Sequence, residues 1–211
     1  YREHKLRLHR AALDYVSDQL RPLLEDVGDD TLVIVTGDHG EGLWEHQGLD
    51  QQITDSRPNY CFGHGGTPFD VIARVPLAIS TPNEDPTLQD GWPSLRDIPA
   101  TVLDACVEDH RCPSHSWYDP IPTDRPVICE AARYGVERKG VYQNGHKLIR
   151  SRSDDVTLTA ELSEGDEVFE EIPTHIEEKL LCALPESWDD MDTKMTVSEG
   201  TKARLENLGY R

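Results

Sequence analysis

Residues 31–41 read Thr31-Leu-Val-Ile-Val-Thr-Gly-Asp-His-Gly-Glu41, a short apolar run that ends abruptly in an acid, an imidazole and a glycine. The β-branched residues between Thr31 and Thr36 predict a strand of the kind that parallel sheets bury on both faces. Open α/β sheets bind their ligands at the carboxyl ends of such strands. The residues that follow this strand are therefore the first candidates for a functional site.

Two of these residues, Asp38 and His39, suit a divalent cation. Asp provides a hard oxygen and His a neutral nitrogen, so adjacent side chains of these types share one ion in many proteins. Gly40 then lets the chain turn sharply away from the site. The alternative is an ordinary polar turn, in which Asp and Gly are common for conformational reasons. The dipeptide alone leaves both interpretations open.

The acidic composition limits the classes of function. The 211 residues include 40 Asp and Glu against 21 Lys and Arg, which gives a formal net charge of −19. This charge argues against a protein that binds nucleic acid through its phosphates. Scarce Lys beside plentiful Asp and Glu indicates a halophile-like surface, although an acidic mesophilic protein would share that composition.

Neither a membrane span nor a signal peptide is indicated, and we expect a cytoplasmic protein. No apolar run approaches the about 18 residues that a membrane-spanning helix needs. The five Cys residues are odd in number and include no C-x-x-C pair. They therefore predict free thiols rather than a disulfide framework or a structural zinc site.

The first half of the chain predicts the helices and strands of an α/β domain. Apolar residues at helical spacing predict an amphipathic helix over 3–27, which leads directly into the strand at 31–36. A long irregular segment at 42–68 follows and is typical of a functional loop. A second apolar strand is predicted at 71–79, where Pro76 interrupts it.

The second half predicts a small antiparallel sheet with helices. Asn144-Gly145 between two apolar runs is a strong hairpin signal. Ser94 is expected to cap the helix that precedes this region. The predicted strands are 126–129, 140–143, 147–149, 157–162 and 167–172, and the predicted helices are 92–106, 175–183 and 198–208.

Several motifs in order resemble those of one enzyme family. The first is Thr36-Gly-Asp-His-Gly-Glu41, and the longest is Gly63-His-Gly-Gly-Thr-Pro-Phe-Asp-Val-Ile-Ala-Arg-Val-Pro-Leu77. The other matching segments are 45–46, 95–104, 125–130, 145–149 and 202–210. Together they resemble the sulfatase family of the alkaline-phosphatase-like superfamily, specifically its carboxyl-terminal half.

The resemblance implies a fold and a division into domains. Residues 1–124 would form the later part of the sulfatase-like α/β sheet of the catalytic domain. Residues 125–211 would form a small α+β subdomain, an antiparallel sheet with a packed helix. The implied activity is metal-dependent hydrolysis of sulfate esters, with phosphate esters as the alternative substrate.

The resemblance also implies roles for particular side chains. Asp38 and His39 would be metal ligands, with Ca²⁺ expected first and Mg²⁺, Mn²⁺ or Zn²⁺ as alternatives. His64 would contact the ester oxygens and serve as a catalytic residue, since an imidazole titrates near neutral pH and can protonate a leaving group. A structural loop histidine is the alternative for His64. Glu41 is at best an outer neighbour of the metal, and His46 is expected to lie in a solvated loop.

The resemblance further implies that part of the catalytic machinery is missing. The family's nucleophile and its remaining acidic metal ligands come from an amino-terminal half, and nothing in this chain matches them. We therefore expect this polypeptide to bind metal weakly, to be inactive alone, and to need that half as its partner. Two other functions stay open: a phosphodiesterase or phosphotransferase of the same superfamily, and a non-catalytic domain that binds through the 42–68 segment.

Overall fold

A computed structural model describes residues 1–53, 61–82, 91–107, 111–131, 137–152, 154–163 and 165–186. Within these ranges the protein is a mixed α/β structure that contains a five-stranded antiparallel sheet, two two-stranded sheets and several helices. The expected α/β class is confirmed in that the described residues form both helices and β-sheets. No helix of the described ranges combines the length and the apolarity that crossing a membrane requires.

Helix α1 (Arg2–Glu25) confirms the predicted amphipathic helix, but its apolar face is largely uncovered. Tyr1, which immediately precedes the helix, makes an edge contact with Trp44, at 6.1 Å between ring centres, and a tilted contact with Phe62. Further along the helix, Leu13 and Val16 are at least half exposed, and none of the helical residues is buried. Local periodicity therefore predicted the helix correctly without indicating what its apolar face packs against.

Strand β1 (Val33–Thr36) pairs antiparallel with β4 (Leu77–Ser80), and both strands are only partly buried or exposed. The prediction of a parallel strand buried on both faces is therefore wrong for the described residues. A run of β-branched apolar residues favours a strand. It does not specify whether the neighbouring strand is parallel or antiparallel.

The predicted strand at 71–79 is only half correct. Its first part is a short helix, α3 (Asp70–Ala73), and β4 begins after Pro76. Pro has no backbone N–H to donate, so the chain changes from helix to strand around it. Ile72 of α3 is buried, which explains the apolar character that suggested a strand.

The long segment after β1 is organised by a small hairpin and a buried carboxylate. Strand β2 (Gly42–Leu43) pairs with β3 (Phe62–Gly63), and α2 (Gln47–Asp50) lies between them. The buried Asp50 carboxylate accepts hydrogen bonds from the Cys61 amide at 2.6 Å and from the Thr67 hydroxyl at 2.5 Å. These two hydrogen bonds tie α2 to the residues at 61–67.

The predicted helix near residue 94 is confirmed as a 3₁₀ turn (Leu95–Asp97) that continues into α4 (Ile98–Cys106). Ser94 forms a capping box with this turn: its hydroxyl accepts from the Arg96 amide, and its own amide donates to Asp97 at 2.9 Å. The cap satisfies backbone donors that a helix start otherwise leaves unpaired.

The second half forms the predicted antiparallel sheet, with strands in sequential order. Asn144 and Gly145 both have positive φ in the hairpin turn, as the sequence predicted. Helix α5 (Thr174–Ala183) packs its Leu180 against one face of the sheet, whereas the predicted helix at 198–208 lies outside the described residues. The strands are β5 (Val127–Ala131), β6 (Arg138–Gln143), β7 (His146–Ser151), β8 (Val156–Ser163) and β9 (Asp166–Phe169).

The other face of this sheet shares a core with the first half of the chain. Ile149 and Leu158 of the sheet pack with Ile53, Cys61 and Phe69, and each of these three residues is at most 1% exposed to solvent. The hydrophobic contacts therefore join residues on both sides of the domain boundary predicted between 124 and 125. All five Cys residues are free thiols, as their spacing predicted, but the expectation that such thiols are buried is wrong for Cys106 and Cys182, which are exposed.

Candidate metal centre

The predicted site residues Asp38 and His39 lie just beyond the end of β1, where the sequence placed them. Asp38 accepts a hydrogen bond from the His39 amide at 3.0 Å, which holds the turn closed. The Nδ1 atom of His39 lies 2.8 Å from the Gly40 carbonyl oxygen. That contact fixes the ring orientation and leaves Nε2 to face a ligand.

Gly40 is required for space rather than for a left-handed turn. Its amide donates to the Ile72 carbonyl at 2.8 Å, so the chain passes directly against α3. A Cβ atom at this position would lie 2.1 Å from the Val71 carbonyl oxygen, far inside van der Waals contact. The glycine of the motif therefore sets the distance between the end of β1 and α3.

His64 reaches the same place from the far end of the long segment. It is flanked by Gly63 and Gly65, whose φ angles of +88° and +76° few other residues adopt. Its ring stacks on that of His39 with 4.1 Å between centres, and its Nδ1 lies 2.9 Å from a carboxylate oxygen of Glu41. The structure thus brings together side chains that are 25 positions apart in the sequence.

His39, Glu41 and His64 form a group that could hold a metal ion (the metal group), with one ligand atom of each within 4.8 Å of the others. Asp38 is a neighbour of this group and not a member: its carboxylate lies 3.8 Å from Nε2 of His39 and its side chain is 76% exposed. The sequence interpretation placed Glu41 outside the metal's ligands. Glu41 joins the group through its contact with Nδ1 of His64, a residue 23 positions away, so no local spacing signals it.

The donor set fits a divalent ion of borderline softness. Imidazole nitrogens together with carboxylate oxygens are the ligands of many catalytic zinc sites. Ca²⁺ prefers six to eight oxygens, whereas Asp38 and Glu41 are the two carboxylates beside the histidines among the described residues. The residues present therefore fit Zn²⁺ more closely than Ca²⁺, Mg²⁺ or Mn²⁺.

Two other residues of the motif region, His46 and Arg74, make contacts that support the fold rather than the metal group. The ring of His46 lies between Phe69 and Phe169, at 4.7 and 5.3 Å, and 3.5 Å from Glu167. It is only 20% exposed, so its expected place in a solvated loop is wrong. Arg74 forms an ion pair with Asp70 at 3.1 Å.

A cavity of about 550 Å³ lies beside the metal group. Asp38, His39 and His64 line it together with apolar side chains of β4 and β5 and three further charged residues, Arg74, Arg96 and Glu130. This size lies within the range of small-molecule sites, which are typically apolar with a few polar groups. A ligand in the cavity would therefore reach the two histidines.

Comparisons of the chain with protein-family models, with curated proteins and with solved structures find no match.

Replacing Gly40 with Ala is expected to lower the free energy of unfolding by about 1–3 kcal/mol, the usual cost of forcing extra atoms into a packed region. The new methyl group would overlap the backbone of α3, which cannot move aside as a side chain would. Urea unfolding followed by circular dichroism measures the change.

Gly48 offers the matched control for this prediction. It lies in α2 and a Cβ there would have no neighbour within 4 Å. Gly48→Ala is expected to leave stability unchanged or to raise it by up to about 1 kcal/mol, because Ala favours helix. Equal stability of the two variants would show that the contact between Gly40 and α3 does not constrain the fold.

Proposed function

We propose that this chain provides the metal-binding part of a hydrolase that cleaves sulfate esters, or the chemically similar phosphate esters, in the manner of the sulfatase family. The observation that carries the proposal is the stacking of His64 on His39, beside Glu41 and at the end of a strand. An ordinary polar turn at Asp38 would give no reason for a distant histidine and a carboxylate to meet there. The proposed fold is the later part of the alkaline-phosphatase-like sheet.

The side chains of the group have distinct proposed roles. His39 and Glu41 hold the ion, with Asp38 close enough to join them after a change of side-chain rotamer. The bound ion would supply positive charge that stabilises the charge developing on the ester oxygens. The contact with Glu41 uses Nδ1 of His64, so Nε2 is the atom through which this ring would bind an ester oxygen or transfer a proton to the leaving group.

The three side chains of the group carry no hydroxyl or thiol, Thr36, Ser94 and Cys129 line the adjoining cavity, and no segment of the sequence resembles the nucleophile motif of the family. We therefore propose that turnover requires a nucleophile from another polypeptide segment, and that this chain alone is inactive. Catalytic groups that act as a unit lose almost all of their effect when one of them is missing. Metal binding does not require a nucleophile, so it is the property to test in this chain.

The proposal predicts that the purified chain binds one divalent ion. Calorimetric titration with Zn²⁺, Mn²⁺, Mg²⁺ and Ca²⁺ would identify the preferred metal, with Zn²⁺ favoured by the imidazole donors and Ca²⁺ by the family resemblance. An ion present at 100 times its dissociation constant stabilises the native state by about 2.7 kcal/mol. For a chain of this length we expect a rise in melting temperature of about 5–10 °C.

Thiols also bind Zn²⁺, so the titration needs a control that leaves every cysteine in place. The double variant His39→Ala/His64→Ala serves this purpose. Saturable binding in the native chain that is lost in the double variant supports the proposal. Binding of every metal at the same strength in both proteins contradicts it.

A further inference from the structure

A second cavity, of about 350 Å³, adjoins the first. No residue of the metal group is among the described residues that line it, and its far side comes from the loop at 113–115 and from Arg125 and Pro126. Its volume lies at the lower end of the range for small-molecule sites. The second cavity is therefore a separate place for a ligand. The residues that line both cavities are Ser94, Arg96, Val127 and Ile128.

Arg96 brings an uncompensated positive charge to this second cavity. Its backbone amide donates to the Ser94 hydroxyl, but its guanidinium forms no hydrogen bond or ion pair with any residue that the structure describes. The chain as a whole has a net charge of −19, so a cation left without an acid beside a cavity is a local exception. A guanidinium presents a planar fork of donors that matches the oxygens of an oxyanion.

An ion pair between Asp97 and Arg125 forms another side of the second cavity. The two Asp97 oxygens accept hydrogen bonds from Arg125 at 3.0 and 2.7 Å. Burial alone would raise the pKa of Asp97, but the hydrogen bonds from Arg125 and from the Ser94 amide outweigh it and hold the pKa below its ordinary value. Asp97 therefore stays ionised and paired with Arg125, and it does not neutralise Arg96. The Nε donor of Arg125 is buried with no partner among the described residues, and a water or a ligand oxygen usually satisfies such a donor.

Three further side chains offer hydrogen bonds to the same space. The Ser94 hydroxyl accepts from the Arg96 amide, so its own proton is available to a ligand. The Ser114 hydroxyl has no partner within the part of the chain that the structure describes. His115 uses Nε2 in a contact of 3.3 Å with the Asp119 carbonyl oxygen, which leaves Nδ1 for a ligand. The second cavity thus combines a cation with two hydroxyls and an imidazole.

We propose that the second cavity binds the phosphate group of a small organic phosphate, as a ligand that is distinct from the ester at the metal group. The phosphate charge pairs with Arg96, and its three outer oxygens accept hydrogen bonds from the hydroxyls and the imidazole. A tetrahedral group with three free oxygens matches donors that come from several directions better than a planar carboxylate does. The organic part lies against Pro113, Pro126 and Val127, which give the cavity its apolar surface. The inference does not rest on the proposed function, because no residue of the metal group takes part.

The test measures binding of defined probes to the full chain by calorimetry. The native chain is titrated with a chelator present, and the titration is repeated on the double variant His39→Ala/His64→Ala, so that the metal group does not contribute. The probes are propyl phosphate, inorganic phosphate, propyl sulfate and butyrate, all at one ionic strength because salt screens exposed charges. We expect propyl phosphate to bind at one saturable site in both proteins and more tightly than the other three probes. Absence of saturable binding, or equal affinity for propyl phosphate and butyrate, would overturn the inference.

Variants of the cavity residues show where the probe binds. Arg96→Gln is expected to weaken propyl phosphate about tenfold or more, and Ser114→Ala about fivefold, because a hydrogen bond to a charged partner is the stronger of the two. Arg96→Lys keeps the charge but loses the fork of donors, so it should restore only part of the affinity. Arg10→Gln is the matched control, since Arg10 is an exposed arginine on α1. Native affinity in Arg96→Gln, or the same loss in Arg10→Gln, would contradict the assignment.

The same measurements distinguish this inference from the proposed function. If propyl phosphate binding is lost in His39→Ala/His64→Ala but kept in Arg96→Gln, the phosphate binds at the metal group; the inference then fails and the proposed function stands. If binding depends on Arg96 and persists in the double variant, the inference holds whatever the metal titrations show.

Discussion

Replacing Lys147 with Met is expected to lower the free energy of unfolding by about 3–5 kcal/mol, as removal of one partner from a buried ion pair usually does. The ammonium group of Lys147 is completely buried on β7, 2.8 Å from Asp70 and 2.5 Å from Glu167. The side chains of these carboxylates are 11% and 1% exposed. Without the cation, two negative charges would remain close together with little solvent to separate them.

The expected loss is large because this cluster joins separate parts of the chain. Asp70 begins α3, close to the metal group, whereas Lys147 and Glu167 lie on the antiparallel sheet. Asp70 also receives the Tyr142 hydroxyl, and its amide donates to Glu167 at 3.0 Å. Loss of the cation would therefore loosen the packing of α3 on the sheet, and Asp70 would keep only its ion pair with Arg74.

Chemical unfolding at pH 7 measures this effect, with Lys179→Met as the matched control. Lys179 is an exposed lysine on α5, and its replacement is expected to change stability by less than about 0.5 kcal/mol. A loss below about 1 kcal/mol in Lys147→Met would show that water or rearranged side chains compensate the carboxylates.

The pH dependence provides an independent test of the same cluster. Burial alone would raise the pKa of Asp70, but the charge of Lys147 and the hydrogen bonds from Lys147, Tyr142 and Arg74 outweigh it and hold the pKa below its ordinary value. A carboxylate with a lowered native pKa stabilises the fold above its unfolded pKa, about 4, and loses that contribution as pH falls through the native value. The titration of the unfolded state is common to both proteins, so the difference in stability between the native chain and Lys147→Met should shrink as the pH falls toward the lowered native pKa of Asp70.

Replacing His39 with Ala is expected to weaken metal binding by about 100-fold or more, because it removes a nitrogen ligand from a site with few protein ligands. The ring also supports His64 by stacking at 4.1 Å, so its loss would free the second imidazole to move. Calorimetry with the preferred metal at pH 7 measures the change in affinity.

Two further variants make this result specific to the metal group. Glu41→Gln keeps the shape of the side chain but removes the charge that contacts His64 at 2.9 Å, and we expect it to weaken binding by about tenfold. His175→Ala removes an exposed histidine on α5 and should leave the affinity unchanged. Native affinity in His39→Ala would show that the ion, if bound, lies elsewhere in the chain.

Much of the local structure could be predicted from the sequence because it depends on nearby residues. Helical spacing predicted α1, the Ser94 cap preceded a helix, and Asn144-Gly145 formed the hairpin turn. The prediction for 71–79 failed because Ile72 is buried in a helical turn as fully as it would be in a strand. Over only a few residues, a buried helix and a buried strand show the same run of apolar side chains, so the pattern does not distinguish them.

The candidate site was predictable only in part. Asp38 and His39 are adjacent in the sequence and lie at a strand end, so their pattern was visible. The nearness of His64 could be inferred only from the family resemblance, since its position depends on how the hairpin of β2 and β3 closes. Glu41 was assigned an outer role, because the spacing of residues does not show which carboxylate contacts an imidazole.

The sequence by itself determined the α/β class, the main helices, the five strands of the antiparallel sheet and the Asp-His-Gly motif at the end of β1. Only the tertiary structure decided that β1 pairs antiparallel with β4, that Glu41 joins the two histidines, and that Lys147 is buried between two acids. The physical reason is the separation of the partners along the chain. Periodicity and turn chemistry act over a few residues, whereas Lys147 and Asp70 are 77 positions apart and meet only when the sheet packs on α3.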